Sequence, residues 1–334
     1  MKISIIVPFY DRQRLGDVKE LLDSIQAQDY EDIETLVVAE RSQEMADNIS
    51  GYVKEKGYKG VRVLFNQGEW GSYSARNLGI EQASGDVIAF IDDDALLLPG
   101  WAQETASHYA EDESVIGLTG PILPLWQDES MSWFPREFYW IFSCTYWDWL
   151  EKREVRNGYG TNISFRRQAF NVCGVFKNSL EGEDKGKSDW QRPGVKETEF
   201  SVRVTAKTGK RIVYNPGIKV KHKVYPYRLS TAFIMRRTYW EGYGKAWFKS
   251  WSRRVDNRVL ATEYSLLRRI FFNLIPGSLG LIFSKPLVAI RRLWITALAL
   301  SCVGSGYLFY KLSSPFIRKN SRRIEKVENA VEKL

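Results

Sequence analysis

The chain has 334 residues, a formal net charge of +8, 44% hydrophobic and 14% aromatic content, and 12 Trp. That suffices for one sizeable core and an appendage; three cysteines without CxxC spacing and only two histidines exclude a disulfide framework, a zinc module and a histidine-rich metal site. The basic excess gathers after residue 228 with no nucleic-acid motif beside it, which points to an anionic lipid surface rather than nucleic acid.

Residues 3–7 read as a buried first strand, too short for a signal-peptide core. Leu15, Val18, Leu21, Leu22 and Ile25 fall at helical spacing, and 33–38 form a second strand. Met45, Ile49 and Tyr52 mark a second helix, 61–65 a third strand, 73–83 a helix stopped by Ser84-Gly85, and 87–91 a fourth strand. This alternation over 1–125 predicts an α/β fold with helices on both faces of a largely parallel sheet, whose ligands bind beyond the carboxyl ends of the strands. Residues 126–160 are aromatic and irregular, and 179–195 read as a charged loop. A helix over 198–208 and strands near 211–214 and 218–222 follow. Residues 228–260 read as basic, aromatic helix with a bend at Gly242-Tyr243-Gly244, and 270–312 are strongly apolar.

The strongest chemical signal is Asp92-Asp93-Asp94 directly after the fourth strand. Adjacent carboxylates repel unless a cation neutralises them, and alternate residues in extended chain point the same way. Asp92 and Asp94 are therefore the predicted ligands of Mg2+ or Mn2+, hard enough for oxygen donors, bridging a diphosphate as it leaves. A solvated acidic turn is the bland alternative.

Ordered pieces along the first 225 residues carry a resemblance: Ile5-Ile6-Val7-Pro8-Phe9-Tyr10, Leu36-Val37-Val38-Ala39-Glu40, Ser74-Ala75-Arg76-Asn77-Leu78-Gly79, Ala83-Ser84-Gly85-Asp86, the acidic triplet, Gly160-Thr161-Asn162, and Glu197-Thr198-Glu199-Phe200. The set resembles inverting glycosyltransferases of family 2, and within them microbial enzymes that extend dolichol- or undecaprenol-linked sugars. The resemblance implies a GT-A fold, a mixed, mainly parallel sheet with helices on both faces, over 1–225. Its nucleotide-sugar part is 1–125, and the acceptor side and catalytic base lie in 126–225. It implies that Pro8, Tyr10 and Glu40 line the base, that Arg76 and Asn77 meet the diphosphate, and that Asp92 and Asp93 contact the donor. Gly160 and Asn162 would shape the acceptor side. The family's general base lies at a helix start in a Gly-Glu-Asp-x-Asp string. Gly182-Glu183-Asp184 copies the letters, but Glu197 keeps the carboxylate spacing before a helix and is the predicted base.

His222, Arg228, Arg236 and Arg237 form a basic series suited to the phosphate of a lipid acceptor, or to a membrane surface without specific contact. Residues 226–334 are expected to associate with the cytoplasmic leaflet. The uncharged run 293–310 is flanked by basic residues on both sides, which favours an in-plane or re-entrant anchor over a single span, with a two-helix hairpin as the rival. The expected activity is metal-dependent sugar transfer from a UDP- or GDP-sugar to a polyprenyl- or dolichyl-linked acceptor. A soluble acceptor, a non-catalytic sugar-nucleotide or carbohydrate binder and a homodimer through the C-terminal helices stay open. A nucleotidyltransferase is disfavoured because Val7-Pro8-Phe9-Tyr10 lacks a Gly-rich phosphate loop.

Overall fold

The apolar runs pair as their alternation with helices predicts, in a computed structural model that describes residues 1–68, 70–147, 149–177, 196–252 and 260–331. In chain order the first unit contains β1 (Ile3–Phe9), α1 (Leu15–Gln26), β2 (Ile33–Glu40), α2 (Gln43–Lys56), β3 (Val61–Asn66), α3 (Ser72–Gln82) and β4 (Val87–Phe90). It continues with β5 (Ala95–Leu97), α4 (Trp101–Glu111), β6 (Val115–Thr119), β7 (Ile122–Trp126), β8 (Arg153–Val155), β9 (Ile163–Arg166), α5 (Arg167–Cys173), α6 (Lys196–Thr208), β10 (Arg211–Tyr214) and β11 (Val220–Val224). The string at 182–184 and the loop at 179–195 fall outside the described residues.

The main sheet has the order β3-β2-β1-β4-β9-β6-β10-β8. β1 pairs in parallel with β2 and β4, and every one of its residues is buried, as expected for a strand covered on both faces. β9 slots antiparallel between β4 and β6, so the sheet is mixed. Phe90, Phe165, Phe170 and Phe200 meet in the core beneath β4 and α6. A smaller sheet, β5-β11-β7, stands beside the end of β4.

Several motif residues are architectural. A Cβ at Gly79 would lie 2.5 Å from Ile6 Cγ2, so Gly there lets α3 press onto β1. Ser84 and Gly85 direct their N–H groups at the buried Glu34 carboxylate, which also accepts from Ser4 Oγ at 2.5 Å. Burial opposes ionisation of Glu34, but these hydrogen bonds and Lys2 outweigh it and bring its pKa down to about 2.

The second unit takes up from Tyr227. It contains α7 (Thr231–Ser252), α8 (Ala261–Arg269), a π-helical turn over Ile270–Leu274, α9 (Ile275–Gly280) and α10 (Pro286–Val331). The bend expected at 242–244 is not there: these residues continue α7. The glycine serves packing instead. A Cβ at Gly242 would sit 2.0 Å from the Val303 carbonyl oxygen, and one at Gly306 would sit 2.0 Å from that of Tyr239. Small residues let the backbones of α7 and α10 touch reciprocally. Gly242→Val should therefore force the helices apart and destabilise this unit by about 2 kcal/mol or more, read as a lowered melting temperature in detergent. An unchanged melt would mean that the crossing is looser than drawn.

α10 includes a segment, Pro286–Ser313, that is long and apolar enough to cross a membrane by length and composition, with mean hydropathy 1.6 and only 22% of its most apolar window buried. It is longer than the uncharged run in the sequence because Arg291, Arg292 and Lys311 fall inside it. Phe272, Phe283, Leu287, Trp294 and Leu312 are exposed, Phe283 at 98%.

Candidate active site

β4 ends at Phe90, and the chain passes Ile91 into the acidic triplet before β5 leaves to pair with β11. That pairing sets His222 opposite Ala95, and the Lys223 N–H donates to the Asp94 carbonyl at 2.9 Å. His222 Nε2 is thereby held 2.8 Å from Asp94 Oδ1. Asp92, Asp94 and His222 each offer a ligand atom, all within 4.8 Å of one another. Burial disfavours charge on His222, but the Asp94 carboxylate outweighs it and pushes the pKa up to about 10. Two carboxylates and one imidazole nitrogen suit Mn2+ better than Mg2+, which prefers oxygen alone.

His222 was expected at an acceptor phosphate. It is 2% exposed and faces Asp94 in the acidic cluster. Asp93, expected on sugar hydroxyls, also turns inward. Its Oδ1 accepts from Arg14 Nη1 at 2.6 Å, and burial pushes its carboxyl upward against the pull of that guanidinium. The same Arg14 nitrogen lies 2.9 Å from Asp94 Oδ2. Arg14 carries no motif signal; it ends a 3-10 turn over Arg12–Arg14 capped by Asp11.

On the other side of Asp92 stands a second charged group. Arg76, on α3, donates through Nη2 to Asp92 Oδ1 at 2.9 Å and through Nη1 to Glu197 Oε1 at 2.6 Å. Thr161 Oγ1 donates to Asp92 Oδ2 at 2.6 Å, and Tyr73 OH donates to Glu197 Oε2 at 2.6 Å. Glu197 lies in the first turn of α6, where a carboxylate complements the helix dipole. Gly160 makes the Arg76–Glu197 pair possible, because a Cβ there would meet Glu197 Oε1 at 2.4 Å and Arg76 Nη1 at 2.7 Å. Lys196, where an acid is usual in the family pattern, is buried with Nζ 4.5 Å from the Tyr73 ring centroid.

Other predicted residues fall elsewhere. Glu40 is 1% exposed, and its Oε1 accepts from Asn66 Nδ2 at 3.0 Å and Gly71 N–H at 2.9 Å. These bonds pin the loop before α3. Asn77 is closed off by Phe176, donating to its carbonyl at 2.8 Å and accepting from its N–H at 3.1 Å. Asn162 accepts from Trp101 Nε1 at 3.0 Å and donates to the Ile218 carbonyl at 2.9 Å, a structural turn. Pro8 is buried within β1. Tyr10 follows it, with the Arg41 guanidinium 5.3 Å from its ring centroid; burial, opposed by Arg14, pushes its pKa up to about 12. Arg228, Arg236 and Arg237 lie in the second unit: Arg228 is buried against Tyr227, Arg236 is exposed on α7, and Arg237 pairs with Glu241 at 3.7 Å.

A mixed α/β sheet with carboxylates at the end of a central parallel strand defines the GT-A class of nucleotide-sugar transferases. The mannosyltransferase of Pyrobaculum calidifontis, solved with GDP-Man and Mn2+, superposes with a TM-score of 0.58 at 17% identity, over 92% of this chain and 87% of that one. At that identity the likeness concerns the fold. Residues 4–174 match Glycosyl transferase family 2. The chain is also 31% identical over 246 residues to a glucosyl-dolichyl phosphate glucuronosyltransferase of Haloferax volcanii, spanning 73% of this chain and 76% of the relative. A GalNAc(5)-diNAcBac-PP-undecaprenol beta-1,3-glucosyltransferase of Campylobacter jejuni is 35% identical over 102 residues, about a third of each protein. The chain belongs to glycosyl transferase family 2 and is a glycosyltransferase.

Proposed function

We propose that the chain is an inverting transferase that moves a sugar from a UDP- or GDP-sugar to a polyprenyl- or dolichyl-linked acceptor at the cytoplasmic face of a membrane. The observation carrying this reading is the convergence of Asp92, Asp94 and His222 within 4.8 Å, with Asp92 also bound to the Arg76–Glu197 pair. Asp92, Asp94 and His222 would hold Mg2+ or Mn2+, which when bound draws charge off the departing diphosphate. Arg76 offers its guanidinium to diphosphate oxygens. Glu197, steadied by Tyr73, takes the proton of the acceptor hydroxyl while the nucleotide leaves from the opposite face. Pro8 and Tyr10 mark the base side at the end of β1. In domain terms, 1–225 carries the chemistry and 226–334 the membrane association.

The acceptor class is supported by the two relatives, whose names refer to dolichyl phosphate and PP-undecaprenol. The apolar α10 and the basic Arg268, Arg269, Lys285, Arg291 and Arg292 around it support a leaflet bearing anionic lipid. A panel of UDP- and GDP-sugars, incubated with membrane lipid extract with and without Mn2+, tests the reading. The expected result is metal-dependent nucleotide release accompanied by a glycosylated lipid. Release without a lipid product would overturn the lipid acceptor, and no release from any donor would overturn the transfer reading itself.

A further inference from the structure

Arg14 belongs to none of the matched motifs, yet it makes the closest ion pair to the acidic triplet. Its Nη1 lies 2.6 Å from Asp93 Oδ1 and 2.9 Å from Asp94 Oδ2. The Arg14 side chain is largely buried, and the two carboxylates are almost wholly so. The local chain fixes it: the Arg14 N–H donates to the Asp11 carbonyl at 2.9 Å, and Asp11 Oδ1 accepts from the Gln13 N–H at 3.0 Å.

The choice of oxygen matters. Asp94 meets His222 through Oδ1 and Arg14 through Oδ2. Arg14 thus holds one oxygen and leaves the other turned toward His222. Asp93 supplies the anchor for this grip. Its second oxygen, Oδ2, is buried with no hydrogen-bond partner among the described residues, so the contact with Arg14 is what offsets the burial of this carboxylate.

We propose that Arg14 is a positioning residue for the divalent-metal site: clamped by Asp93, it fixes the rotation of the Asp94 carboxylate and so keeps Oδ1 on the side of His222. The inference rests on the metal-binding reading of Asp92, Asp94 and His222. Partners one shell out from a metal typically control its affinity by ten- to a hundredfold. Both contacts run through one nitrogen, so an ammonium supplies the charge and the donors but, on a shorter stem, not the same reach.

The test is titration of the full chain in detergent with Mn2+ alone, following free Mn2+ by electron paramagnetic resonance, alongside melting curves. Arg14→Gln is expected to weaken Mn2+ binding roughly tenfold or more, and Arg14→Lys to weaken it by about two- to fivefold. Should Arg14→Gln fail to fold, the graded loss in Arg14→Lys decides. Unchanged Mn2+ affinity in the lysine variant, or tighter binding in the glutamine variant, would overturn the proposal while leaving the metal site standing. Tighter binding would make Arg14 a competing charge. Absence of Mn2+ binding by the wild-type chain would overturn the metal site and the proposal together.

Discussion

Glu197→Gln is expected to lower kcat by about three orders of magnitude while leaving the donor KM within a few-fold. The glutamine is nearly isosteric. Its carbonyl accepts from Arg76 Nη1 where Glu197 Oε1 now does, and its amide faces the Tyr73 oxygen, 2.6 Å from the present Oε2. The fold around Gly160 should therefore persist, and the melting curve should show it. What disappears is the ability to accept a proton from the acceptor hydroxyl. Single-turnover transfer with purified donor and lipid acceptor separates this from a binding defect. Near-normal turnover in a folded variant would remove Glu197 from the chemistry and return attention to the string at 182–184.

Asp94→Asn should be comparably damaging, by a different route. Asp94 is 1% exposed, and its two oxygens face His222 Nε2 and Arg14 Nη1. An amide keeps the volume but presents an N–H to one of these neighbours and forfeits the negative charge that a divalent ion needs. Transfer is expected to fall by about 10³-fold, the several kcal/mol that a metal contributes to a developing charge. Mn2+ affinity should fall with it. Catalysis that survives Asp94→Asn, with Mn2+ making no difference, would remove the metal from the reading and leave the departing diphosphate to other cations such as Arg76.

The first part of the sheet was legible because its signals are local. Each of the first four strands is a short apolar run closed by a turn or a helix start, and the structure extends them by one to two residues at most, or trims one. The acidic triplet was legible for the same reason, since it follows such a run. The strand β9 was not read. Its four residues gain their meaning from β4 and β6, more than forty residues back in the chain, and nothing local announces that pairing. His222 shows the same limit. Its charge class was visible, but its partner is fixed by the register of β11 on β5. Glu40 and Asn77 sit in family-like strings, and their side chains also close loops, contacts that depend on the fold and have no local signal. Gly242 lies within α7 although intrinsic propensity disfavours Gly in helices; close contact with α10 overrides it. Arg14 and Tyr73 had no signal beyond composition, and only the folded geometry brings them to the carboxylates.

The late arrival of β9 bears on how the chain is made. Until residues 163–166 have been synthesised, β4 has a neighbour on one side only, and its open edge is the buried, uncharged Val87–Phe90. A nascent chain is thus exposed to wrong strand pairing over a long stretch of translation. Truncations intended to isolate the N-terminal part of the sheet should on this account be cut after Arg166, not before it.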